Sequence, residues 1–443
     1  MPYIPHTEAD RRRMLAEIGV DSIDDLLREI PESLRLRDPL DVPSGLDEHN
    51  LFLYLFDLAA KNLSSAKLTW FLGAGLYDRY IPATVGAVIS RGEFLTAYTP
   101  YQPELSQGFL QSIYEFQTMV AELYGMDVAN ASMYDGSTSM AEAALLACGQ
   151  TGRSKIVVSQ AVHPAYRQVL STYAWASGHR VAEVAAPAGD TTDFSAVDGE
   201  AACLIVQYPN FFGIIEDLAA ARAAATEAGA LLIVVADPIA MGLLPPPGQF
   251  GADIVVGEGQ PIGVAMGFGG PLVGLFACRQ DLIRRLPGRI VGRTHDHQGR
   301  PGFTMTLRTR EQDIRREKAT SNICTNEALM ALAATVYLIA VGKNGLRSVA
   351  ESTVRNTQYA IRALTSAGGR VRFERRVFGE FVLDLPKPAV QVRDALIEQG
   401  IMAGLPLGDT YPGLENSLLV ALTETRSRAQ IDDYGRKLAE VLN

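Results

Sequence analysis

The middle of this 443-residue chain predicts an α/β fold built on a mostly parallel sheet. Between Lys155 and Val256, strand candidates alternate with helix candidates, the order that parallel strands and their crossover helices require. Those strands are apolar at every position rather than at every second one, the pattern of a sheet covered by helices on both faces. After about residue 340 the order becomes helix, strand, strand, helix, strand, helix, which predicts a small α+β domain at the carboxyl end.

The elements follow from local signals. Thr7, with Asp10 three residues on, marks a capped helix running to about Ile18. Asp21 to Ile30 repeats the signal with Ile23, Leu26, Leu27 and Ile30 on one face, and Asp47 to Asn62 is apolar at helical spacing. Residues 1–62 therefore read as a helical N-terminal arm that packs on a partner subunit or on the main domain. Residues 63–335 form the large α/β domain and 336–443 the small one. From Phe71 to Pro103 the chain is loop, rich in hydroxyl and amide groups; long ordered loops of this kind are commonly functional, although tyrosine packing on a surface gives the same composition. A helix follows from Gly108 to Tyr124, with Phe109, Ile113, Phe116, Val120 and Leu123 facing one way.

The strands of the sheet are Lys155–Ser159, Val181–Val184, Ala202–Gln207, Leu231–Ala236 and Asp253–Val256, with helices at Ala165–Trp175 and Leu218–Glu227. Residues 279–318 are the most polar part and read as a mobile, solvated loop. Its His295 and His297 have no carboxylate or cysteine cluster at metal-ligand spacing. An apolar helix from Asn326 to Val341 continues beyond Gly342 to Ala367. The last domain has strands at Arg370–Phe373, Glu380–Leu385 and Leu418–Ala421, and helices at Ala389–Gln399 and Arg428–Leu442.

Composition narrows the function classes. The chain is 47% hydrophobic and 20% charged, with a formal net charge of −10. Such an acidic balance argues against nonspecific binding to nucleic acid or anionic membrane, which attract clustered Lys and Arg. Cys148, Cys203, Cys278 and Cys324 are scattered, without the spacing of a zinc site or a disulfide framework. The amino terminus has no apolar core of signal-peptide length, so the cytoplasm is the expected location.

Candidate site residues fall where parallel sheets bind ligands, at the carboxyl ends of strands. Gly136-Ser137-Thr138-Ser139 opens an alanine-rich helix, and helix-start N–H groups beside Ser137 and Thr138 hydroxyls could seat a phosphate, although Ser and Thr are also ordinary caps. His163 and Asp237 follow two strand ends. The stretch Gly251 to Pro271 is a strand running into a glycine-rich turn, where aminotransferase-type pyridoxal-phosphate enzymes carry the lysine that forms the Schiff base. Gln260 stands there, and an amide cannot form an imine. In such a site Asp237 would keep the cofactor's pyridine nitrogen protonated and His163 would stack on its ring.

YTPYQPELSQGFLQSIYEFQTMVAELYGMDVANASMYDGSTSMAEA, followed by IRREKATSNICTNEALMALAATVYL, resembles the glycine cleavage system P-protein over nearly the whole chain. The length is similar to the amino-terminal half, subunit 1, of the two-subunit bacterial form. The resemblance implies the type I fold of pyridoxal-phosphate-dependent transferases and a heterotetramer with subunit 2, the chain that holds the cofactor. It also implies decarboxylation of glycine and transfer of its aminomethyl group to the lipoyl arm of H-protein. It further implies that Thr320, with Ser321 and Asn322, reaches the partner's cofactor phosphate, and that Tyr98, Tyr101 and Gln102 line the partner's glycine or lipoyl pocket. The chain's own pocket, with Ser137, Thr138, His163 and Asp237, is then vestigial. It is either empty, its polar residues serving packing, or a loose site for an anion or free cofactor. The alternative is a noncatalytic stabilising scaffold.

Overall fold

Five aliphatic runs, Lys155–Ser159, Arg180–Val184, Ala201–Tyr208, Leu231–Ala236 and Ile254–Glu258, pair in parallel at the centre of the computed structural model. The structure describes residues 5–36, 38–97, 100–191 and 193–443. Gly274–Cys278 lies antiparallel beside Ile254–Glu258, and Val128–Ala129 pairs antiparallel with it at the sheet edge. The sequence pattern flags neither strand, because one is two residues long and the other emerges directly from the glycine-rich turn.

The apolar character of these strands has a direct cause. Successive side chains point to opposite faces, and both faces are covered. Val157, Leu204, Val206, Leu232, Val234 and Val255 face one core, with helices Gln107–Tyr124 and Leu218–Ala228 and part of Ala328–Ser366. Ile156, Val158, Cys203, Ile205, Ile233, Val235, Ile254 and Val256 face the other, with helices Gly136–Thr151 and Pro164–Ser177. The long helix Ala328–Ser366 is bent at Gly342, whose backbone sits at φ 59°. By length and composition this helix could cross a membrane, but Ala331, Ala333, Ala334 and Tyr337 are buried in the first core.

A third core, around Phe381, Leu383, Leu418, Val420, Ile431 and Tyr434, belongs to the carboxyl-terminal four-stranded antiparallel sheet. Its strands, in spatial order, are Arg370–Val371, Glu380–Asp384, Ser417–Ala421 and Leu405–Pro406. Thr69–Trp70 pairs in parallel with Ile401–Met402, which anchors the start of the following loop to this part of the chain.

Two polar expectations change. Residues 279–318 are not a featureless loop: Val291–His295 and Pro301–Met305 form an antiparallel hairpin, with His295 opposite Pro301. The alternation of side chains along a solvent-facing hairpin leaves too few apolar positions for the pattern to register. The expected helix Asp21 to Ile30 contracts to Ile23–Leu26, capped by Ser22, because no residue of that turn is buried and short helices need packing to persist. In the first unit, which ends at Leu63, helices Glu8–Ile18 and Glu48–Ala60 also bury no residue.

One buried ion cluster ties the sheet together. Asp253 is 1% exposed and accepts from Leu232 N at 2.7 Å, while pairing with Arg222 at 2.8 Å and Arg279 at 2.5 Å. Removing the acid leaves a buried N–H unpaired and the half-buried Arg222 guanidinium with uncharged partners only, whereas Arg279 is nearly half exposed, keeps its pair with Asp281 and can return to water. We expect Asp253→Ala to cost about 2–3 kcal/mol in urea unfolding and Arg279→Ala about 1 kcal/mol or less. Equal losses would show that the pair, rather than the buried acid, carries the effect.

Candidate functional site

The carboxyl ends of four parallel strands converge on one small cleft. Strand Lys155–Ser159 leads to His163; Ala201–Tyr208 contributes Gln207 and leads to Pro209 and Asn210; Leu231–Ala236 leads to Asp237; and Ile254–Glu258 ends in Glu258, two residues before Gln260. Loop residues Gly75, Tyr77 and Arg79 close it from one side, and Phe378, Gly379 and Glu380 from another.

Gln260 is 2% exposed and its amide is fully used. Its Oε1 accepts from Tyr77 N at 2.9 Å, and its Nε2 donates to Tyr77 O at 3.0 Å and to Val264 O at 2.9 Å. This two-way exchange fixes the Phe71–Pro82 loop across the cleft. Glu380 adds a second tie, accepting from Ala74 N at 2.7 Å and from the Tyr77 hydroxyl at 2.8 Å. A third is the Arg79–Glu424 ion pair at 2.7 Å, with the guanidinium almost wholly buried.

The helix start at Gly136 differs from the expectation of a phosphate seat. Asp135 caps it, accepting from Thr138 N at 2.8 Å and from the Ser137 hydroxyl at 2.6 Å. Glu258 reaches the Gly136 N–H at 3.0 Å and also accepts from Gln260 N and Val273 N. Two carboxylates therefore hold the groups a phosphate would use, and neither Ser137 nor Thr138 lines the cleft.

His163 has a structural setting. Its Nδ1 accepts from Ala165 N at 3.1 Å as the cap of helix Pro164–Ser177, so Nε2 carries the proton donated to Ala74 O at 2.8 Å. Burial holds its pKa below the usual imidazole value. One face stacks on Tyr166 at 4.9 Å and Phe211 meets it edge-on at 5.0 Å, so the ring packs against side chains of this chain. Asp237 accepts from Ile239 N at 2.7 Å and Ala240 N at 3.2 Å through one oxygen.

Burial pushes Glu258 and Glu380 up from the ordinary 4.5 to about 7. Glu258, Glu380, Tyr77 and Arg79 were not singled out by the sequence. The signals were the hydroxyl-rich Phe71–Pro103 loop that carries Tyr77 and Arg79, an acid ending an apolar strand and an acid opening the strand at Glu380, none of which picks out a residue by itself.

The residues proposed to act outside this cleft lie elsewhere. Tyr98 falls outside the described residues. Tyr101 donates to Asn326 Oδ1 at 2.5 Å and contacts the Thr325 hydroxyl at 2.7 Å, while the Arg289 guanidinium lies 5.1 Å from its ring centre. The loop and the Ala319–Thr325 segment therefore meet on one surface. Gln102 is exposed; Thr320 is half-buried beside Arg310 and Arg315; the Ser321 hydroxyl accepts from Ile323 N; and Asn322 O accepts from Gln312.

A parallel sheet in this order, a strand-end cleft and a carboxyl-terminal α+β layer define the class of type I pyridoxal-phosphate enzymes. A family profile described as glycine cleavage system P-protein matches residues 1–438. A relative from Geobacillus sp. strain WCH70, "Probable glycine dehydrogenase (decarboxylating) subunit 1", is 52% identical over 99% of this chain and 98% of its own length. A crystal structure of glycine decarboxylase (P-protein) of the glycine cleavage system, in inhibitor-bound form, superposes with TM-score 0.91 at 46% identity, covering both chains completely. An aspartate aminotransferase from Thermus thermophilus shares the fold alone, with TM-score 0.58 at 16% identity over 84% of this chain and 99% of its own. The chain belongs to the glycine cleavage system P-protein family.

Pyridoxal phosphate, the group this fold class implies, does not fit the cleft of this chain. The cavity is about 50 Å³, room for on the order of four waters and not for a substituted pyridine with its phosphate. No lysine lines it, and carboxylates occupy the helix start. We expect Gln260→Lys, mixed with excess pyridoxal phosphate, to give no borohydride-trapped adduct at position 260; a trapped adduct would show that the cleft opens.

The buried acids also set a pH response. Between about 4.5 and about 7 the folded chain retains protons on Glu258 and Glu380 that the unfolded chain releases, so this contribution to stability falls as pH rises. The lowered pKa of His163 works in the opposite sense. Glu380→Gln should therefore gain stability relative to the unsubstituted chain as urea midpoints are compared from pH 5 to 7.5. A constant difference would place its pKa outside that window.

Proposed function

We propose that this chain is subunit 1 of glycine dehydrogenase (aminomethyl-transferring), joined to subunit 2 in a cytoplasmic α2β2 heterotetramer and inactive alone. The complex decarboxylates glycine with pyridoxal phosphate held by subunit 2 and passes the aminomethyl group to the lipoyl arm of H-protein. The cofactor supplies an electron sink where it is bound. This chain's part is to complete the partner's site. Thr320, with Ser321 and Asn322, holds the cofactor phosphate by hydrogen bonds, and Tyr98, Tyr101 and Gln102 line the glycine or lipoyl pocket and limit its water. The arm is residues 1–62, followed by the large domain at 63–335 and the small domain at 336–443.

The observation that carries this reading is the filling of the strand-end cleft by the chain's own Gln260, Tyr77, Glu258 and Glu380 in a family whose named relatives act on glycine. The meeting of Tyr101 with Thr325 and Asn326 supports it, since it brings Tyr101 against the end of the Ala319–Thr325 segment. The same filled cleft also suits a scaffold subunit, and Thr320→Ala separates the two. We expect the variant to assemble normally with subunit 2 while glycine decarboxylation falls about tenfold, as for loss of one hydrogen bond to a charged group. Normal assembly with unaltered turnover would establish the scaffold instead.

A further inference from the structure

The Ala319–Thr325 segment keeps its place without secondary structure. Between the short turn ending at Lys318 and helix Ala328–Ser366 the chain forms neither helix nor strand, so its path is set by groups that reach it from elsewhere. Ile323 is buried in the core of the sheet, the Tyr134 hydroxyl accepts from Cys324 N at 3.3 Å, and Asn326 Nδ2 donates to Ala131 O at 2.8 Å. The Cys324 carbonyl is taken by Arg289. Its Nε donates at 3.1 Å and its Nη2 at 2.8 Å, a fork closing on one oxygen.

The other sides of the same guanidinium are engaged as well. Its Nη1 pairs with the buried Glu311 carboxylate, and its central carbon lies 5.1 Å from the centre of the Tyr101 ring. Arg289 stands just before strand Val291–His295 on a backbone that is itself fixed, because its carbonyl accepts from Ala131 N at 2.8 Å and Asn130 Nδ2 donates to Pro287 O at 3.0 Å. Asn130 and Ala131 are fully buried. With 14% of its side chain exposed and its donors turned onto this chain, Arg289 is poorly placed to bind a ligand directly. A planar fork can meet Cys324 O, Glu311 and the Tyr101 ring at once, which a lysine ammonium cannot.

We propose that Arg289 is a positioning residue for the partner's site: it clasps the Cys324 carbonyl and the Tyr101 ring together, and so sets where Thr320, Ser321 and Asn322 stand relative to Tyr101. The inference rests on the function proposed above, in which those groups meet the cofactor phosphate and the glycine or lipoyl pocket. The competing role is simpler, with Arg289 serving only as counter-ion to the buried Glu311.

E311Q separates the two roles, because it removes the buried charge and leaves the fork and the ring contact. In amide hydrogen exchange on the full-length chain, peptides covering residues 319–326 and 100–107 should exchange about tenfold faster in R289M/E311Q than in E311Q, with strand Leu231–Ala236 unchanged. In the complex with subunit 2, the same comparison should show glycine decarboxylation lowered about tenfold and more pyridoxal phosphate needed for half-maximal activity. R289K, which keeps a cation for Glu311 but not the fork, should show the faster exchange too. Full recovery by R289K, or equal exchange in R289M/E311Q and E311Q, would overturn the positioning role in favour of charge compensation. T320A distinguishes this inference from the function beneath it: lowered turnover in T320A beside unaltered turnover in R289M/E311Q overturns the role of Arg289 alone, and the reverse result removes the Thr320 contact while keeping Arg289.

Discussion

The exchange of hydrogen bonds between the Gln260 amide and the Tyr77 backbone is the contact on which the cleft depends. A side-chain amide offers a donor and an acceptor in one plane, so it can satisfy both polar groups of a single residue in a passing loop. A lysine would supply donors only and would leave Tyr77 N without its acceptor. The same substitution of chemistry that removes the reactive amine therefore provides the clasp holding Phe71–Pro82 over the strand ends.

Electrostatics consolidates that closure. A helix start attracts anions, and here the anions come from the chain itself, Asp135 as cap and Glu258 from the neighbouring strand end. Glu380 brings a third carboxylate from the carboxyl-terminal four-stranded sheet onto the loop. Glu258 and Glu380 are taken from water only because N–H and hydroxyl donors surround them, and their raised proton affinity records the part of desolvation that remains uncompensated. A dianionic ligand would meet negative charge where the fold class leads one to expect donors. The polar surface formed by Tyr101 and the Ala319–Thr325 segment, by contrast, lies outside the closed cleft.

Much of the sheet was legible because burial on both faces forces every position of a strand to be apolar. Lys155–Ser159 and Leu231–Ala236 have the bounds their pattern indicates. The hairpin at Val291–His295 was hidden by its exposure, and the two antiparallel strands Val128–Ala129 and Gly274–Cys278 by brevity and by glycine. Within the site, His163 and Asp237 were visible as polar residues at strand ends and do line the cleft. Their partners were not visible. His163 Nε2 is bonded to Ala74 and the Gln260 amide to Tyr77, residues separated from them by 89 and 183 positions. Ser137 and Thr138 carry a signature that fits a phosphate seat and a capping turn equally, and only the placement of Glu258 and Asp135 decides between them.

By itself, then, the sequence determined the α/β class, the strands of the core, the family and the absence of a lysine in the Gly251–Pro271 turn, because each is written in local periodicity, composition or contiguous motif. Tertiary structure decided what replaced the lysine's role: a closed cleft with an internal anion at the helix start, and, apart from it, an Ala319–Thr325 segment held by Arg289. Those outcomes depend on which distant groups meet at hydrogen-bond distance, and the strength of a buried polar contact is set by that meeting and by exclusion of water, neither of which has a period along the chain.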